Sequence, residues 1–299
     1  MIHSGDLGFY DSDSYARLSD REARLLVIHS DLSKEEQARI LELRPDDRRA
    51  AAKELRLAGE FQEYLDGDKA FPVPVYAVWG NHEDRKVVER LVQDEQHVPH
   101  LHLIHPSQAF QVGQVLIYGV GGNYLPSAKL MDRPIAGGGG KIWSTLSQYV
   151  DLVKTVESYA GWQGLRLLVT HVSPGKEPFV EFIGARTRAD YTVSGHMGAP
   201  YGMVWNPFAI HSVAEAARRL QSGFEAARTA CLAATGPSAE EVKASLDFIG
   251  RLPEDTVHLG RGVKAPRWYR GMTHVNLPDA HVGYAIMDIE DGRVKISTG

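Results

Sequence analysis

The chain has 299 residues, of which 43% are hydrophobic and 24% are charged, a composition typical of a soluble globular protein with a sizeable core. A net charge of -5 argues against a broad nucleic-acid-binding surface, and the single cysteine, Cys231, excludes an intrachain disulfide and a cysteine-based zinc cluster. No apolar run reaches about 18 residues, and the first residues do not have the pattern of a signal peptide, so we expect a cytoplasmic protein without a membrane span.

Apolar runs bounded by turn residues predict strands at intervals along the chain. In chain order they cover residues 2–4, 72–79, 100–105, 109–114, 115–122, 164–171 and 191–196, followed by a closing hairpin at 283–297. The fourth and fifth runs are expected to form a hairpin that turns at Gly113-Gln114, and the closing hairpin is expected to turn at Asp291-Gly292.

Helices are predicted between these strands, over residues 33–67, 84–93, 144–158 and 212–251. Capping boxes mark three helix starts, at Ser33 with Glu36, Ser212 with Glu215 and Ser238 with Glu241. Pro45 is expected to divide the first helical region into two helices. Strands that alternate with helices, followed by hairpins, predict one mixed-sheet α/β sandwich domain over residues 1–299, with helical insertions at 33–67 and 212–251.

Side chains that can bind a metal ion follow four of the predicted strands. They are Asp6 in IHSGD, Asn81 in VYAVWGNH, His171 in LRLLVTH and His196 in YTVSGH. Because sites in open α/β sheets form at the carboxyl ends of strands, we expect these four side chains to converge. One carboxylate, one amide and two imidazoles suit a divalent ion such as manganese, iron or zinc.

The order GD, GNHE, TH and GH, which spans residues 5–196, resembles the calcineurin-like metallophosphoesterase superfamily, with lariat-debranching and phosphodiesterase-like members as the nearest resemblance. GNHE is the most specific motif, and GQVLIYGVGG and GYAIMDIEDGRV also resemble segments of that family. The resemblance implies two mixed β-sheets packed in a sandwich and flanked by helices. It also implies a metal-dependent phosphoester hydrolase, foremost a phosphodiesterase, that uses manganese, iron, zinc or nickel.

The resemblance further implies a role for each matching residue. Asn81 would bind one metal ion together with His171 and His196, and Asp6 would bridge that ion and a second one. His82 would lie beside the phosphate. Phosphoester hydrolysis needs a metal-activated water as nucleophile, and a histidine beside the leaving oxygen can supply the proton that this oxygen needs.

Three positions depart from the family pattern. No Asp-x-His sequence precedes Gly5-Asp6, Gly198 stands where the final Gly-His-x-His has its second histidine, and Phe9 stands where a second acidic residue often follows GD. The first two departures remove ligands of the same metal ion, so we expect the chain as written to bind at most one ion tightly. Two explanations stay open: the Asp-x-His strand lies upstream of Met1 in the complete protein, or the protein has abandoned one metal site.

Two functions stay open on the sequence alone. One is a phosphoesterase that acts on a nucleotide, a nucleic acid or another phosphoester, and the other is a catalytically inactive binding or scaffold protein on the same fold. The loop GVGGNY places Asn123 and Tyr124 where they could contact substrate. Arg267 belongs to RGVKAPRWYR, whose basic and aromatic residues could hold a phosphodiester; the pattern favours the alternative, a surface segment with buried aromatic residues.

Overall fold

The computed structural model describes residues 1–127, 135–138, 141–198, 201–208, 211–234, 239–260, 262–290 and 292–299. Over these ranges the protein is a mixed α/β structure, as the alternation of predicted strands and helices indicates. Within the described part of the chain, no helix is both long enough and apolar enough to cross a membrane.

The strands and helices of the described ranges are numbered in chain order. The strands are β1 (Ile2–His3), β2 (Val75–Ala77), β3 (Leu101–Leu103), β4 (Phe110–Val112), β5 (Val115–Val120), β6 (Asn123–Tyr124), β7 (Ala136–Gly137), β8 (Ile142–Ser144), β9 (Leu165–Val172), β10 (Tyr191–Gly195), β11 (Met203–Trp205), β12 (Thr256–Gly260), β13 (Val263–Pro266), β14 (Thr273–Asn276), β15 (Ala285–Glu290) and β16 (Arg293–Thr298). The helices are α1 (Ser14–Arg17), α2 (Asp20–Ile28), α3 (Lys34–Leu41), α4 (Pro45–Glu54), α5 (Phe61–Leu65), α6 (Arg85–Val92), α7 (Leu146–Ser158), α8 (Pro178–Arg186), α9 (Val213–Ala233), α10 (Ala239–Ile249) and α11 (Arg267–Gly271).

The larger sheet has six strands in the described ranges, in the order β11-β14-β10-β9-β5-β4. Its four central strands are parallel, and the edge strands β11 and β4 run antiparallel to their neighbours. Helices α7 to α11 cover one face, and a second sheet packs against the other. Because β9 is buried on both faces, its sequence GLRLLVTH reads as a nearly continuous apolar run without alternation.

The smaller sheet consists of the parallel strands β1, β2 and β3. On one face, Ile2 and Tyr76 pack into the hydrophobic cluster that contains Val169 of β9. On the other face, Val75 packs into a second cluster that contains Val88 of helix α6. The layers therefore run from helices through the six-stranded sheet and the three-stranded sheet to α6.

Most predicted elements are confirmed, with shorter bounds. The capping boxes of Ser33 and Ser212 form at the starts of α3 and α9, and Pro45 is the first residue of α4. The hairpin of β4 and β5 turns at Gly113, whose φ is 56°. Strands β15 and β16 pair antiparallel as the closing hairpin. The predicted capping residue Ser238 and the turn residue Asp291 lie outside the described residues.

Several elements were missed by the sequence prediction. Helix α2 begins at a capping box of Ser19 and Glu22, a local signal that the sequence carries and that the prediction overlooked. The small sheet of β6, β8 and β7 and the hairpin of β12 and β13 join segments that read as loops. Strands this short depend on pairing partners, and propensity alone does not reveal them.

Candidate metal centre

Two neighbouring parallel strands place Asp6 and Asn81 close together. Strand β1 pairs with β2 so that His3 lies opposite Ala77, and the segments after these residues leave the sheet at the same edge. Asp6 has a φ of 58°, in the left-handed region that aspartate tolerates better than most side chains. This turn brings the Asp6 carboxylate to the loop that contains Asn81, where Asp6 Oδ1 accepts a hydrogen bond from the backbone N–H of His82 at 2.9 Å.

Strands β9 and β10 of the larger sheet bring two histidines to the same edge. The strands are parallel, with Val193 opposite Val169. His171 lies near the end of β9 and is buried, and His196 follows β10 directly, with a φ of 61°. The centroids of the two imidazole rings are 4.6 Å apart. The four residues Asp6, Asn81, His171 and His196 therefore meet where the ends of both sheets converge.

His171 contacts Ser4 through one ring nitrogen and faces Asn81 and Asp6 with the other. Its Nδ1 lies 2.8 Å from the carbonyl oxygen of Ser4, and its Nε2 lies 2.7 Å from Asn81 Oδ1 and 3.6 Å from Asp6 Oδ2. All three oxygens are acceptors, and a neutral ring has one proton to donate. With that proton on Nδ1, the Nε2 lone pair faces two oxygen atoms, and a cation between them removes their mutual repulsion. Histidine ligands of metal ions commonly donate their other N–H to a backbone carbonyl in this way.

The Asn81 side chain is fully buried and only partly satisfied. Its Nδ2 has no hydrogen-bond partner among the described residues, and such a group costs about 1–3 kcal/mol when buried. The Asn81 carbonyl accepts a hydrogen bond from the Ile142 N–H at 3.0 Å, which ties this loop to β8. A ligand role for Oδ1 gives a reason to keep an amide here despite its unsatisfied nitrogen.

His196 is held as a neutral imidazole. Burial lowers its pKa to about 4, with the charges of His171 and Lys176 adding to the effect and Asp6 opposing it. The neutral ring is the form that binds a metal ion at pH 7. Ligand atoms of Asp6, His171 and His196 lie within 4.8 Å of one another, and the described ranges contain no second cluster of this kind.

The spacing of these ligand atoms fits one divalent ion. With metal–ligand bonds of about 2.1 Å, neighbouring ligand atoms lie about 3.0–3.4 Å apart, and opposite ones about 4.2 Å apart. The distances from His171 Nε2 to Asn81 Oδ1 and Asp6 Oδ2, 2.7 and 3.6 Å, are close to the range for neighbouring ligands. The group of oxygen and nitrogen donors could therefore hold a metal ion, with borderline divalent ions as the best match.

His82 lies beside this cluster with its ring uncommitted. Its backbone N–H donates a hydrogen bond to Asp6 Oδ1, and its backbone carbonyl oxygen accepts one from the Tyr10 hydroxyl at 2.7 Å. No described residue forms a hydrogen bond to its ring nitrogens. Burial lowers the pKa of His82; the Asp6 charge opposes this shift and the nearby Lys141 ammonium reinforces it. The ring is therefore mainly neutral at pH 7 and free to contact a ligand.

Glu83, the last residue of GNHE, holds the two metal-site loops together. Its carboxylate oxygens accept the Gly80 N–H at 2.8 Å and the Gly8 N–H at 3.2 Å, and the side chain is buried. Burial raises the pKa of Glu83 to about 8, and the negative charge of Asp6 adds to the effect. Sequence reasoning missed this role, because the contact with Gly8 joins segments that are 75 residues apart.

Gly80 leaves the space that the Asp6 carboxylate occupies. A Cβ atom at this position would lie 2.0 Å from Asp6 Oδ1 and 2.2 Å from the Asp6 nitrogen. Since real Cβ atoms do not approach so closely, any side chain at position 80 has to displace Asp6. The glycine before Asn81 is thus required by close packing between the two loops.

Gly198, which stands where the family motif Gly-His-x-His has its second histidine, has no side chain that could bind a metal ion. Gly198 is exposed and has a φ of 105°, a conformation that glycine adopts readily and other residues rarely do. Asp279 and His281, the other pair with Asp-x-His spacing, are exposed in the turn before β15.

The three predicted substrate-contacting residues lie at different distances from the centre. Asn123 begins β6, just after Gly122, whose N–H binds the carbonyl oxygen of Trp79 near the GNHE loop. Tyr124 packs into the helical layer, where its ring stacks on Phe179 with centroids 4.9 Å apart.

Arg267 lies outside the centre. Its guanidinium is 3.5 Å from Asp190, which precedes β10, whereas His196 follows the same strand. Five strand residues separate the two ends of β10 by about 15–20 Å. The structure therefore does not bring Arg267 together with the metal-site residues, and the buried Trp268 beside it fits the alternative of a segment with buried aromatics.

Comparisons of the chain with protein-family models, with curated proteins and with solved structures find no match.

Proposed function

We propose that the protein is a metal-dependent phosphoester hydrolase, foremost a phosphodiesterase, of the calcineurin-like metallophosphoesterase type. The observation that carries the proposal is the convergence of Asp6, Asn81 and His171, with His171 Nε2 placed 2.7 Å from Asn81 Oδ1 and 3.6 Å from Asp6 Oδ2. The sequence resemblance implies two mixed sheets in a sandwich; the six-stranded sheet is mixed, whereas the three-stranded sheet that packs against it is parallel. A cytoplasmic location is part of the proposal and rests on the composition alone.

Asp6, Asn81, His171 and His196 would hold one divalent ion, such as manganese, iron, zinc or nickel. A bound ion supplies Lewis acidity, which neutralises phosphoryl oxygens and lowers the pKa of water. The chain positions the ligands for this chemistry. The Ser4 carbonyl oxygen orients the His171 ring, and the backbone N–H of His82 orients the Asp6 carboxylate. The site is thus built from one carboxylate and three neutral donors.

His82 is the residue that we assign to the phosphoester itself. Its ring has no hydrogen-bond partner in the described ranges, and its pKa is lowered by burial. A neutral imidazole offers one N–H, which stabilises the charge that develops on the leaving oxygen. Below its pKa the same ring can donate a full proton to that oxygen. Lys141 near His82 and Lys176 near His196 add positive charge that attracts a phosphate.

The test is the hydrolysis of bis(p-nitrophenyl) phosphate by the purified chain, first dialysed against EDTA and then supplied with Mn²⁺. We expect turnover that depends on metal and that is lost in Asn81→Ala. His281→Ala is the matched control, because this histidine is exposed and outside the cluster, and it should keep the parent activity. Binding of one Mn²⁺ without turnover of this or of natural phosphodiesters would contradict the enzyme proposal and favour the scaffold alternative.

A further inference from the structure

A cavity of about 240 Å³ lies beside the GNHE loop, and Glu83 of that motif lines it. Three groups of residues form its walls: Tyr10 and Arg17 near the start of the chain, Asp84 and Arg85 at the end of GNHE and after it, and Gly138 and Lys141 beside β7 and β8. None of the ligand residues lines it. The cavity is therefore a separate space beside the metal site.

Two of the three acidic side chains of this cavity are committed within the protein. Both oxygens of Glu83 accept backbone N–H groups, and Asp84 accepts the Lys86 N–H through one oxygen and the Arg17 guanidinium through the other. Glu22 completes the capping box of α2 and has no cationic partner in the described ranges. One unpaired carboxylate therefore lines the cavity.

The basic side chains are only partly committed. Arg17 is paired with Asp84, but Lys86 and Lys141 form no ion pair with any residue in the described ranges. Arg85 forms one ion pair in the described ranges, with Glu89 at 3.4 Å, and its side chain is about two-fifths exposed. The uncommitted hydrogen-bonding groups of the cavity are thus mainly cationic, which is the chemistry that recognises an anion.

Lys141 connects this cavity to the candidate centre. It lines the cavity, and its ammonium lies close enough to His82 to act on the ring electrostatically. The next residue, Ile142, donates its backbone N–H to the Asn81 carbonyl at 3.0 Å, so the position of Lys141 is coupled to the metal-site loop. The cavity and the candidate centre therefore share the segment around Lys141.

We propose that this cavity is a subsite for a second phosphate of the substrate, bound by Lys141 and Arg85, with Lys86 at the rim. The preferred substrate is then a phosphodiester that carries a further phosphate monoester within one nucleotide length, and not a diester with a single charge. This inference rests on the proposed function for its catalytic consequence. The anion-binding property of the cavity stands apart from that function.

The first arm of the test measures binding without metal. Inorganic pyrophosphate is titrated into the EDTA-treated chain by calorimetry, and Lys141→Gln and Arg85→Gln are compared with Lys295→Gln, an exposed lysine on β16. Loss of one charge-assisted hydrogen bond should weaken pyrophosphate binding about tenfold in each cavity variant and leave the Lys295 variant unchanged. Binding that is equal in all four proteins would overturn the subsite.

The second arm measures turnover with Mn²⁺ on two matched dinucleotides, thymidylyl-thymidine and the same compound with a 3′-phosphate. We expect the phosphorylated compound to have the higher kcat/KM in the parent. In Arg85→Gln and Lys141→Gln the ratio of the two kcat/KM values should fall to about one, and Lys141→Gln should also lower the turnover of both compounds because its charge acts on His82. Lys176→Gln, which lies near His196 and outside the cavity, should change both substrates alike. Hydrolysis of both dinucleotides without any preference in the parent would overturn the subsite and leave the proposed function intact. Pyrophosphate binding that depends on Lys141, without hydrolysis of either compound, would support the anion site and contradict the proposed function.

Discussion

His171 Nε2 lies 2.7 Å from Asn81 Oδ1, although 90 residues separate the two side chains in sequence. The contact joins β9 of the larger sheet to the loop after β2 of the smaller sheet. When the proton of a neutral His171 ring is on Nδ1, where the Ser4 carbonyl can accept it, neither of the two facing atoms carries a hydrogen. This relationship is the physical reason to expect a cation at the meeting point of the sheets.

Replacing either histidine of the cluster should weaken metal binding strongly. His171→Ala and His196→Ala each remove one of four donors, and we expect a loss of affinity of about 100-fold or more, beyond the 10- to 100-fold typical of residues that only support a ligand. Metal content after dialysis with Mn²⁺, measured by elemental analysis, should be one equivalent in the parent and well below one in both variants. Two tightly held equivalents in the chain as written would contradict the single-ion site, and His281→Ala should match the parent.

His82 and Asn81 should differ in what their removal changes. His82→Ala should keep metal affinity nearly intact and lower phosphodiester hydrolysis by about 10²- to 10⁴-fold, because the ring acts on the phosphoester and is not a ligand. Asn81→Ala should lose both metal and rate. The defect of His82→Ala should be larger for a natural diester than for an aryl diester, whose leaving group needs little protonation. An alanine variant as active as the parent on both esters would refute the role of His82.

Gly80→Ala should disable the site through packing. The new Cβ would lie 2.0 Å from Asp6 Oδ1, so either the carboxylate or the loop after β2 has to move. We expect weaker metal binding and a loss of stability, both measurable by titration and thermal unfolding. Gly161→Ala is the matched control, because nothing lies within 4 Å of a Cβ at that position. Equal metal affinity in the two alanine variants would show that Gly80 does not position Asp6.

Glu83 should make the stability of the metal-free protein depend on pH. Its pKa in the folded state, about 8, is higher than the ordinary value of 4.5, so the folded state binds the proton more tightly. This contribution is complete below about pH 4.5 and is lost as the pH rises through about 8. In EDTA, the free energy of unfolding of the parent relative to Glu83→Gln should therefore decrease between about pH 5 and pH 9.

Urea unfolding at several pH values provides this comparison, and Glu54→Gln, an exposed side chain on α4, serves as its control. The control should differ from the parent by the same amount at every pH. A stability of the parent relative to Glu83→Gln that stays constant between about pH 5 and pH 9 would show that Glu83 is already ionised in the folded state.

The sequence predicts that the four candidate ligands converge, but it does not reveal the contacts that hold them in place. Asp6, Asn81, His171 and His196 each follow an apolar run, and the rule that sites form at strand ends brings them together without knowledge of the pairing. The role of Glu83 could not be found in this way, because it depends on a hydrogen bond to Gly8 across 75 residues. Long-range contacts of this kind leave no periodic signal in the chain.

The failure to place Arg267 has a different cause. Its basic and aromatic neighbours suggest a contact with a phosphodiester. Composition does not reveal whether a segment lies at the end of the sheet that contains the candidate centre or at the opposite end. Arg267 lies beside Asp190, which precedes β10, whereas the candidate ligand His196 follows the same strand. The capping box of Ser19 and Glu22 is the opposite case, a signal that is local and complete in the sequence.

The most direct test of the account is a crystal structure of the Mn²⁺-soaked protein with anomalous diffraction collected near the manganese edge. The account predicts one strong anomalous peak within about 2.0–2.6 Å of ligand atoms from Asp6, Asn81, His171 and His196, with the His82 ring outside coordination distance. A crystal in which the four side chains stay together without a peak, or in which manganese binds at another place, would contradict the account.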